Sequence, residues 1–320
     1  MQASIIGDQN KKRRLLPSVI WLSVIALTLL FSSDAAEYIR GGISLCTGTV
    51  IPSVFPFMVI SSMIMSLGAG GDLGAAFSFP IKLIFGVSDA AACPILLGFV
   101  CGYPTGAYTA SAMLDRGEIT KKELSRLLTF INVPGAAFVI CAVGEGMLSS
   151  RRLGIFIYLS VILAAVTVGI AGRLFRKEKS GKVSLPPSDK RPPFSKAFPE
   201  AIRTAAVNMM TVCACVITFS ALSGMICSMP FISSLPSWAK AIITGFFEVS
   251  SGAKGASAAG GLYAPLLAST VCAWSGLSVH MQIISACRGR GISFVPFFIS
   301  KAVQAALAPA YLLIFLHFFG

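Results

Sequence analysis

The sequence predicts an all-α polytopic membrane protein with an inverted repeat, on three observations: composition, a duplicated motif and the placement of basic residues. Of the 320 residues, 55% are hydrophobic and 12% are charged, against roughly 25% charged residues in a typical soluble domain. The motifs TGAYTASA at 105–112 and SGAKGASA at 251–258 share one glycine, one serine and three alanines. Membrane proteins built from two units of opposite topology carry such Gly-interrupted segments at matching places.

Seven apolar stretches are long enough to cross the hydrocarbon core as helices. They are 15–31, 42–67, 127–148, 153–172, 203–229, 265–287 and 292–318. The first follows a basic run at 11–14 and is followed by Asp34 and Glu37, with no small-residue cleavage site. We interpret it as a retained span and not as a signal peptide.

Two further stretches, 90–112 and 239–261, carry glycine, serine and threonine at their centres. Each is predicted to be a re-entrant hairpin of two half-helices, because irregular backbone at membrane depth survives only inside the protein or beside a water-filled cavity. The predicted order is span, hairpin, broken span and span, then the same order inverted, with one extra span in front. The units are an N-terminal segment 1–40, a first repeat 41–172, a basic linker 173–202 and a second repeat 203–320.

The basic residues give the orientation. With the run at 11–14 inside, the clusters at 116–126, 173–203 and 288–290 also fall inside, and only Arg151 and Arg152 do not. Cytoplasmic loops carry the excess of Lys and Arg. The sequence therefore predicts a multi-pass cell-membrane protein with a cytoplasmic N-terminus.

A helix break follows each hairpin. Pro134 removes a backbone donor in the segment 130–137, and the segment 273–279 contains glycine and serines at the matching place. The hairpin tips and breaks of both halves are expected to converge. Free helix N-termini there would receive an anion, and unwound carbonyls would hold a cation.

Polar and small residues near these turns are the predicted substrate contacts. They are Tyr103, Thr105, Gly106, Tyr108, Asn132, Glu248, Ser250, Ser251, Gly252 and Lys254. An acid at membrane depth is a functional candidate because its desolvation is costly, so Glu248, with Glu145 and His280, is a candidate for ion coupling. The structural alternatives are that Glu248 pairs with Lys254 or with backbone amides, and that Glu145 and Lys301 lie at span ends and snorkel to the interface.

Other classes are not indicated. The nine cysteines lack a metal-ligand or disulfide spacing, and no nucleophile, base and orienting group stand at usable spacing, so neither an enzyme nor a metal site is predicted. The basic residues form no face interleaved with aromatics, which argues against nucleic acid. The expected partners are a small anionic solute and the lipid bilayer, with homo-oligomerisation left open. No cofactor is expected beyond a coupling ion, H⁺ or Na⁺.

Several motifs carry a family resemblance. GYPTGA at 102–107, EITKKE at 118–123, LLTFIN at 127–132, and GFFE at 245–248 with Gly252 resemble the YlbJ (SpoVV) type of sporulation integral membrane proteins, in the nucleoside-recognition Gate domain group. The resemblance covers about 41–318. It implies a fold similar to concentrative nucleoside transporters and movement of dipicolinic acid from the mother cell across the outer forespore membrane. A lysine common in this family after the GYPTGA-like segment is replaced here by Tyr108, whereas Lys254 stands in the second hairpin.

The predicted function is therefore a secondary transporter of a small anionic metabolite, with dipicolinate as the expected substrate. A nucleoside or nucleobase permease of the same fold is the first alternative. A non-transporting membrane scaffold in sporulation is the second.

Overall fold

The computed structural model describes residues 32–174 and 192–319, together with Leu22. Within these ranges helices are the only regular secondary structure. The predicted first span, 15–31, and most of the linker 173–202 lie outside the described residues.

The first half proceeds from a long helix through a helix pair to a broken helix and a second long helix. Its helices are α1 Ser32–Leu45, α2 Ile51–Ser66, α3 Gly70–Phe85, α4 Ala92–Cys101, α5 Thr105–Asp115, α6 Lys121–Leu127 and α7 Arg151–Leu174, with π-helical segments at Cys46–Val50 and Phe138–Met147. The first π-helical segment joins α1 to α2, so Ala35–Ser66 is one helix of spanning length.

The second half repeats this order. Its helices are α8 Phe194–Ser228, α9 Pro230–Ser233, α10 Ser237–Phe247, α11 Val249–Ser257, α12 Tyr263–Trp274, α13 Gly276–Ala286 and α14 Val295–Phe319. The pair α10–α11 corresponds to α4–α5, and the break between α12 and α13 corresponds to the one after α6.

Five helices in the described ranges are long and apolar enough to cross a membrane, which agrees with a polytopic helical membrane protein. They are Ala35–Ser66, Arg151–Leu174, Phe194–Ser228, Tyr263–Ala286 and Val295–Phe319. The predicted span 127–148 needs correction, because residues 128–135 are not helical and only the short segment Phe138–Met147 follows. Pro134 and Gly135 therefore open the helix over two turns and do not merely kink it.

Each predicted hairpin is a pair of short helices packed closely across glycines. A Cβ at Gly252 would overlap the backbone of Gly245, and a Cβ at Gly106 would lie 2.9 Å from the Cα of Gly98. At 1.5 Å per residue, helices of 9 to 11 residues are about 15 Å long, which is half the thickness of the hydrocarbon core.

Several of the described basic residues lie together at one end of the bundle, called the basic face below. Arg290 pairs with Asp115 at 2.6 Å, and Arg126 donates hydrogen bonds to the carbonyls of Phe85 and Gly86. The ends of α3, α5 and α13 therefore share this face. At the opposite end Arg152 donates to the Phe319 carbonyl.

The two hairpins open toward opposite ends of the bundle. The helix pair α4–α5 begins and ends at the basic face, next to the Lys82–Asp89 and Asp115–Arg290 ion pairs. Helix α8 begins at the basic face and ends where Ser228 hydrogen-bonds Tyr38, so α10 starts at the far end. The units therefore have inverted orientation.

Candidate functional site

The first hairpin turn packs directly on the first helix break. The amide of Tyr103 donates to the carbonyl of Val133 at 2.8 Å. Gly102 has φ +80°, and a Cβ there would overlap the amide of Gly135. Glycine is required at this position both for the backbone conformation and for the close approach.

The second hairpin turn packs on the second break in the same way. A Cβ on Gly276, which has φ +73°, would lie 3.0 Å from the Val249 amide nitrogen and 3.1 Å from the Cα of Glu248. Ser275, the residue between α12 and α13, has φ +76° and is fully buried. A left-handed conformation at a non-glycine residue stores strain of about 1–3 kcal/mol, and such residues cluster at functional sites.

Glu248 is the single residue between α10 and α11, and it is completely buried. Its backbone is extended, and its carboxylate oxygens accept hydrogen bonds from the amides of Ser250 (2.9 Å) and Ser251 (2.6 Å). The carboxylate thus caps the N-terminus of α11, where negative charge is favoured. Of the two structural alternatives for Glu248, the structure shows the pairing with backbone amides and not the pairing with Lys254. The anion site expected at this N-terminus is consequently filled by the protein's own side chain.

A small cavity, called the deep cavity below, lies where the two halves meet. Its polar lining residues are Tyr103, Glu248, Ser250 and Gln282. The rest of the lining is apolar and comes from both π-helical segments, the first break, α2, α8, α11 and α13; these residues are Val50, Val54, Gly135, Phe138, Val212, Val216, Val249 and Val279. The volume of about 30 Å³ has room for one or two water molecules, so a metabolite would require the surrounding elements to separate.

Two hydroxyls close to the first hairpin turn are buried without partners. The Tyr103 and Thr105 hydroxyl oxygens make no hydrogen bond of normal geometry within the described residues. An unpartnered buried hydroxyl destabilises the folded state by roughly 1–3 kcal/mol. These two groups are accordingly the best candidates for donors and acceptors that a bound solute would satisfy.

Asn132 lies within the first break and is held by a residue of the other half. Its side-chain amide donates to the Leu128 carbonyl at 2.9 Å, while its own backbone carbonyl accepts from Lys301 Nζ at 2.9 Å. Lys301 is fully buried, so the prediction that it snorkels to the interface is wrong. Its Nζ also donates to Gln304 Oε1 at 3.2 Å.

His280 is buried against aromatic rings on α12 and α14. Its Nε2 lies 3.0 Å from the Trp274 carbonyl and must donate, since a carbonyl only accepts. The buried Nδ1 has no partner among the described residues. The imidazole therefore hydrogen-bonds a backbone carbonyl at the second break, as Lys301 does at the first.

The remaining predicted residues lie away from the deep cavity. Tyr108 lines a second cavity of about 390 Å³ at the basic face, called the outer cavity, together with Asp115, Arg116 and Arg290. Tyr108 also packs against the apolar cluster containing Met58 and Met209.

Two of the predicted residues in the second hairpin, Ser251 and Gly252, serve packing. The Ser251 hydroxyl bonds that of Ser220 at 3.2 Å, and Gly252, like Gly106 in the first hairpin, lets two helices approach. Lys254 is exposed and forms no ion pair with Glu248. The expectation that it neutralises this acid or faces solute in the deep cavity is therefore corrected: Lys254 projects from the opposite side of α11 from Val249, Ala253 and Ala256.

Glu145 is also away from the site. It is exposed at the end opposite the basic face, where it pairs with Arg151 at 3.5 Å. An exposed ion pair of this kind contributes little to the stability of the fold. Glu145 is therefore an ordinary residue at the end of a helix.

The predicted site did not include Gln282, Lys301 or Gln304. Lys301 and Gln304 stand three residues apart within an apolar helix, so they lie on one face. A polar pair on one face of a spanning helix was the available signal for an inward-facing site.

Taken with the inverted hairpins, these contacts define a polytopic helical membrane protein in which two units of opposite orientation enclose a buried polar cluster. The chain is similar to the sporulation integral membrane protein YlbJ of Bacillus subtilis (strain 168), with 24% identity over 339 residues, covering 95% of this chain and 83% of the relative. This match confirms the predicted resemblance to the YlbJ family of sporulation integral membrane proteins. No protein-family model matches the chain, and no solved structure matches it.

Proposed function

We propose that this protein is a secondary transporter that carries a small anionic metabolite by alternating access at the deep cavity. The observation that carries the proposal is the meeting of two inverted hairpin turns and two helix breaks around Tyr103, Glu248 and Gln282. Transporters built from inverted repeats bind substrate at this kind of junction.

Dipicolinate is the first substrate to test. The support is the similarity to a sporulation integral membrane protein and what the family resemblance implies, with the outer forespore membrane as the implied location. In this proposal the Tyr103 hydroxyl, at the deep cavity, and the nearby Thr105 hydroxyl supply donors to carboxylates. The aromatic face of Tyr103 suits a planar ring.

Closure of the site is part of the proposed cycle. A cavity of about 30 Å³ is smaller than the clefts of roughly 300–1,000 Å³ that hold small molecules. The outer cavity at the basic face is separated from it by Tyr108, Met58 and Met209. Separation of these apolar side chains would connect the two cavities on the cytoplasmic side.

One observation favours the second candidate, a permease for a neutral nucleoside or nucleobase. The described lining of the deep cavity contains a carboxylate and no cationic side chain. A dianion beside Glu248 requires that this acid be protonated or that a cation accompany the solute.

The test is uptake by vesicles that contain the purified protein, with labelled dipicolinate and with a labelled nucleoside. Saturable dipicolinate uptake that the nucleoside does not inhibit supports the anion carrier. Uptake of the nucleoside alone transfers the assignment to the permease. Lys254→Ala is the matched control, because an exposed lysine outside the cavity should leave uptake unchanged.

A further inference from the structure

The buried side chain of Lys301 reaches a backbone carbonyl of the first helix break. Its Nζ donates to the backbone carbonyl of Asn132 at 2.9 Å and to Gln304 Oε1 at 3.2 Å. The amide of Gln304 in turn donates to the Thr129 carbonyl at 2.7 Å. One lysine and one glutamine of α14 thus satisfy two carbonyls of the other half of the chain.

No carboxylate pairs with this ammonium in the described parts of the chain, where every ion pair involves other residues. A buried ion without a partner is expensive. The oxygens within hydrogen-bond distance of Nζ are the Asn132 carbonyl and Gln304 Oε1. Their dipoles are the groups that stabilise a positive charge on Lys301.

Among the described residues, only the first break has a buried lysine bonded to its backbone. Ile157, which lies as far from the start of α7 as Lys301 lies from the start of α14, is a fully buried apolar residue. The second break is instead closed by His280. The charge at the first break is therefore not a general need of this architecture.

Unwound carbonyls at the broken helices of secondary transporters coordinate the coupling Na⁺. We propose that the Lys301 ammonium is a tethered cation that occupies the position of such an ion, so that the first break binds no Na⁺. The consequence for coupling, that transport does not require Na⁺, rests on the proposed function. The occupancy of the break by Lys301 does not.

The direct test is thermal unfolding of the purified full chain in NaCl, KCl and choline chloride at constant ionic strength. Wild type should show the same Tm in all three salts. Lys301→Ala should unfold at a lower Tm in choline chloride and recover about 2–4 °C as NaCl is added to several times its dissociation constant. Lys254→Ala, which removes an exposed lysine, should show neither effect.

A Tm of wild type that rises specifically with Na⁺ would overturn the inference, and so would a Lys301→Ala variant that responds to NaCl and choline chloride alike. If the alanine variant does not fold, Lys301→Ser leaves an oxygen in the vacated space and should show the same Na⁺-specific rise. The wild-type comparison stands without either variant.

A transport measurement separates this inference from the proposed function. Uptake by wild-type vesicles that is unchanged when Na⁺ is replaced by choline supports the tethered cation. Uptake that needs Na⁺ overturns it while leaving the transporter intact. Absence of uptake for every solute contradicts the proposed function, and the unfolding series still decides the role of Lys301.

Discussion

Glu248 is completely buried, and its carboxylate accepts two hydrogen bonds from amides of α11, the helix that it caps. Those bonds favour the charged carboxylate, whereas burial favours the neutral acid. A group held between opposing effects is suited to bind and release a proton as its surroundings change. This is the physical basis for keeping it as a coupling candidate although its capping role is structural.

The first prediction concerns its charge. Glu248→Gln retains an oxygen that can accept one amide hydrogen bond, so the folded state should persist, but transport should lose its dependence on pH. Glu248→Ala removes the cap and should lower the free energy of unfolding by about 0.5–2 kcal/mol. Uptake measured from pH 5 to 8 and thermal unfolding give the two quantities. A glutamine variant with the wild-type pH profile would remove Glu248 from the coupling mechanism.

The second prediction uses the unpartnered hydroxyl of Tyr103. Tyr103→Phe should leave the free energy of unfolding unchanged or slightly higher, because it removes a buried hydroxyl that makes no hydrogen bond of normal geometry to the described residues. It should raise KM roughly 2- to 10-fold if the hydroxyl binds solute. Tyr158→Phe is the control: the Tyr158 hydroxyl donates to the Phe99 carbonyl at 2.7 Å, so this variant should lose about 1 kcal/mol of stability and keep its KM. The opposite pattern would place Tyr103 outside the site.

At the scale of elements, the sequence predicted the two hairpins and both breaks because glycine, proline and serine interrupt otherwise apolar stretches at matching places. The start of α8 was predicted nine residues too late. Lys196, Pro199, Glu200 and Arg203 indicate the end of an apolar span, but they do not prevent the helix from continuing beyond it. Hydropathy locates the apolar part of a helix, and the helix Phe194–Ser228 is longer.

Contacts between residues of different elements could not be predicted from the sequence, for a different reason. Lys301 and Asn132 are separated by 169 positions, and no spacing rule joins them. Lys254 was placed by motif similarity, yet its position on the turn of α11 directs it outward. The motif predicted the hairpin, and only the packing of α11 determines which of its residues face inward.

The third prediction tests the close packing of a hairpin. Gly252→Ala should lower the free energy of unfolding by about 1–3 kcal/mol, because its Cβ would overlap the backbone of Gly245. Gly41→Ala on α1 is the matched control, since a Cβ there meets nothing within 4 Å. That change should be neutral or stabilise by up to about 1 kcal/mol. Equal Tm values for the two variants would show that the helices of the hairpin are not tightly packed.

At the scale of the whole molecule, the bundle has one basic face and two hairpins that open toward opposite ends. This distribution agrees with the excess of Lys and Arg expected on the cytoplasmic side. The basic clusters in the sequence predicted a shared basic face without knowledge of the packing, and the orientation of this face toward the cytoplasm stays a prediction.

The fourth prediction is the sidedness of the protein. In intact cells a membrane-impermeant maleimide should label a cysteine introduced at Arg151 and should leave a cysteine at Lys121 unlabelled until the cells are opened. The unmodified chain gives the background from its nine natural cysteines. Labelling at Lys121 in intact cells would reverse the assigned orientation.

The central claim is a carrier whose site lies between the two inverted units, and counterflow tests it most directly. Vesicles containing the protein are loaded with unlabelled dipicolinate and diluted into a trace of labelled dipicolinate. A carrier predicts a transient accumulation of label above its external concentration, reduced in Tyr103→Phe and unchanged in Lys254→Ala. Folded protein that gives no accumulation above empty vesicles, for dipicolinate or for a nucleoside treated in the same way, would contradict the account.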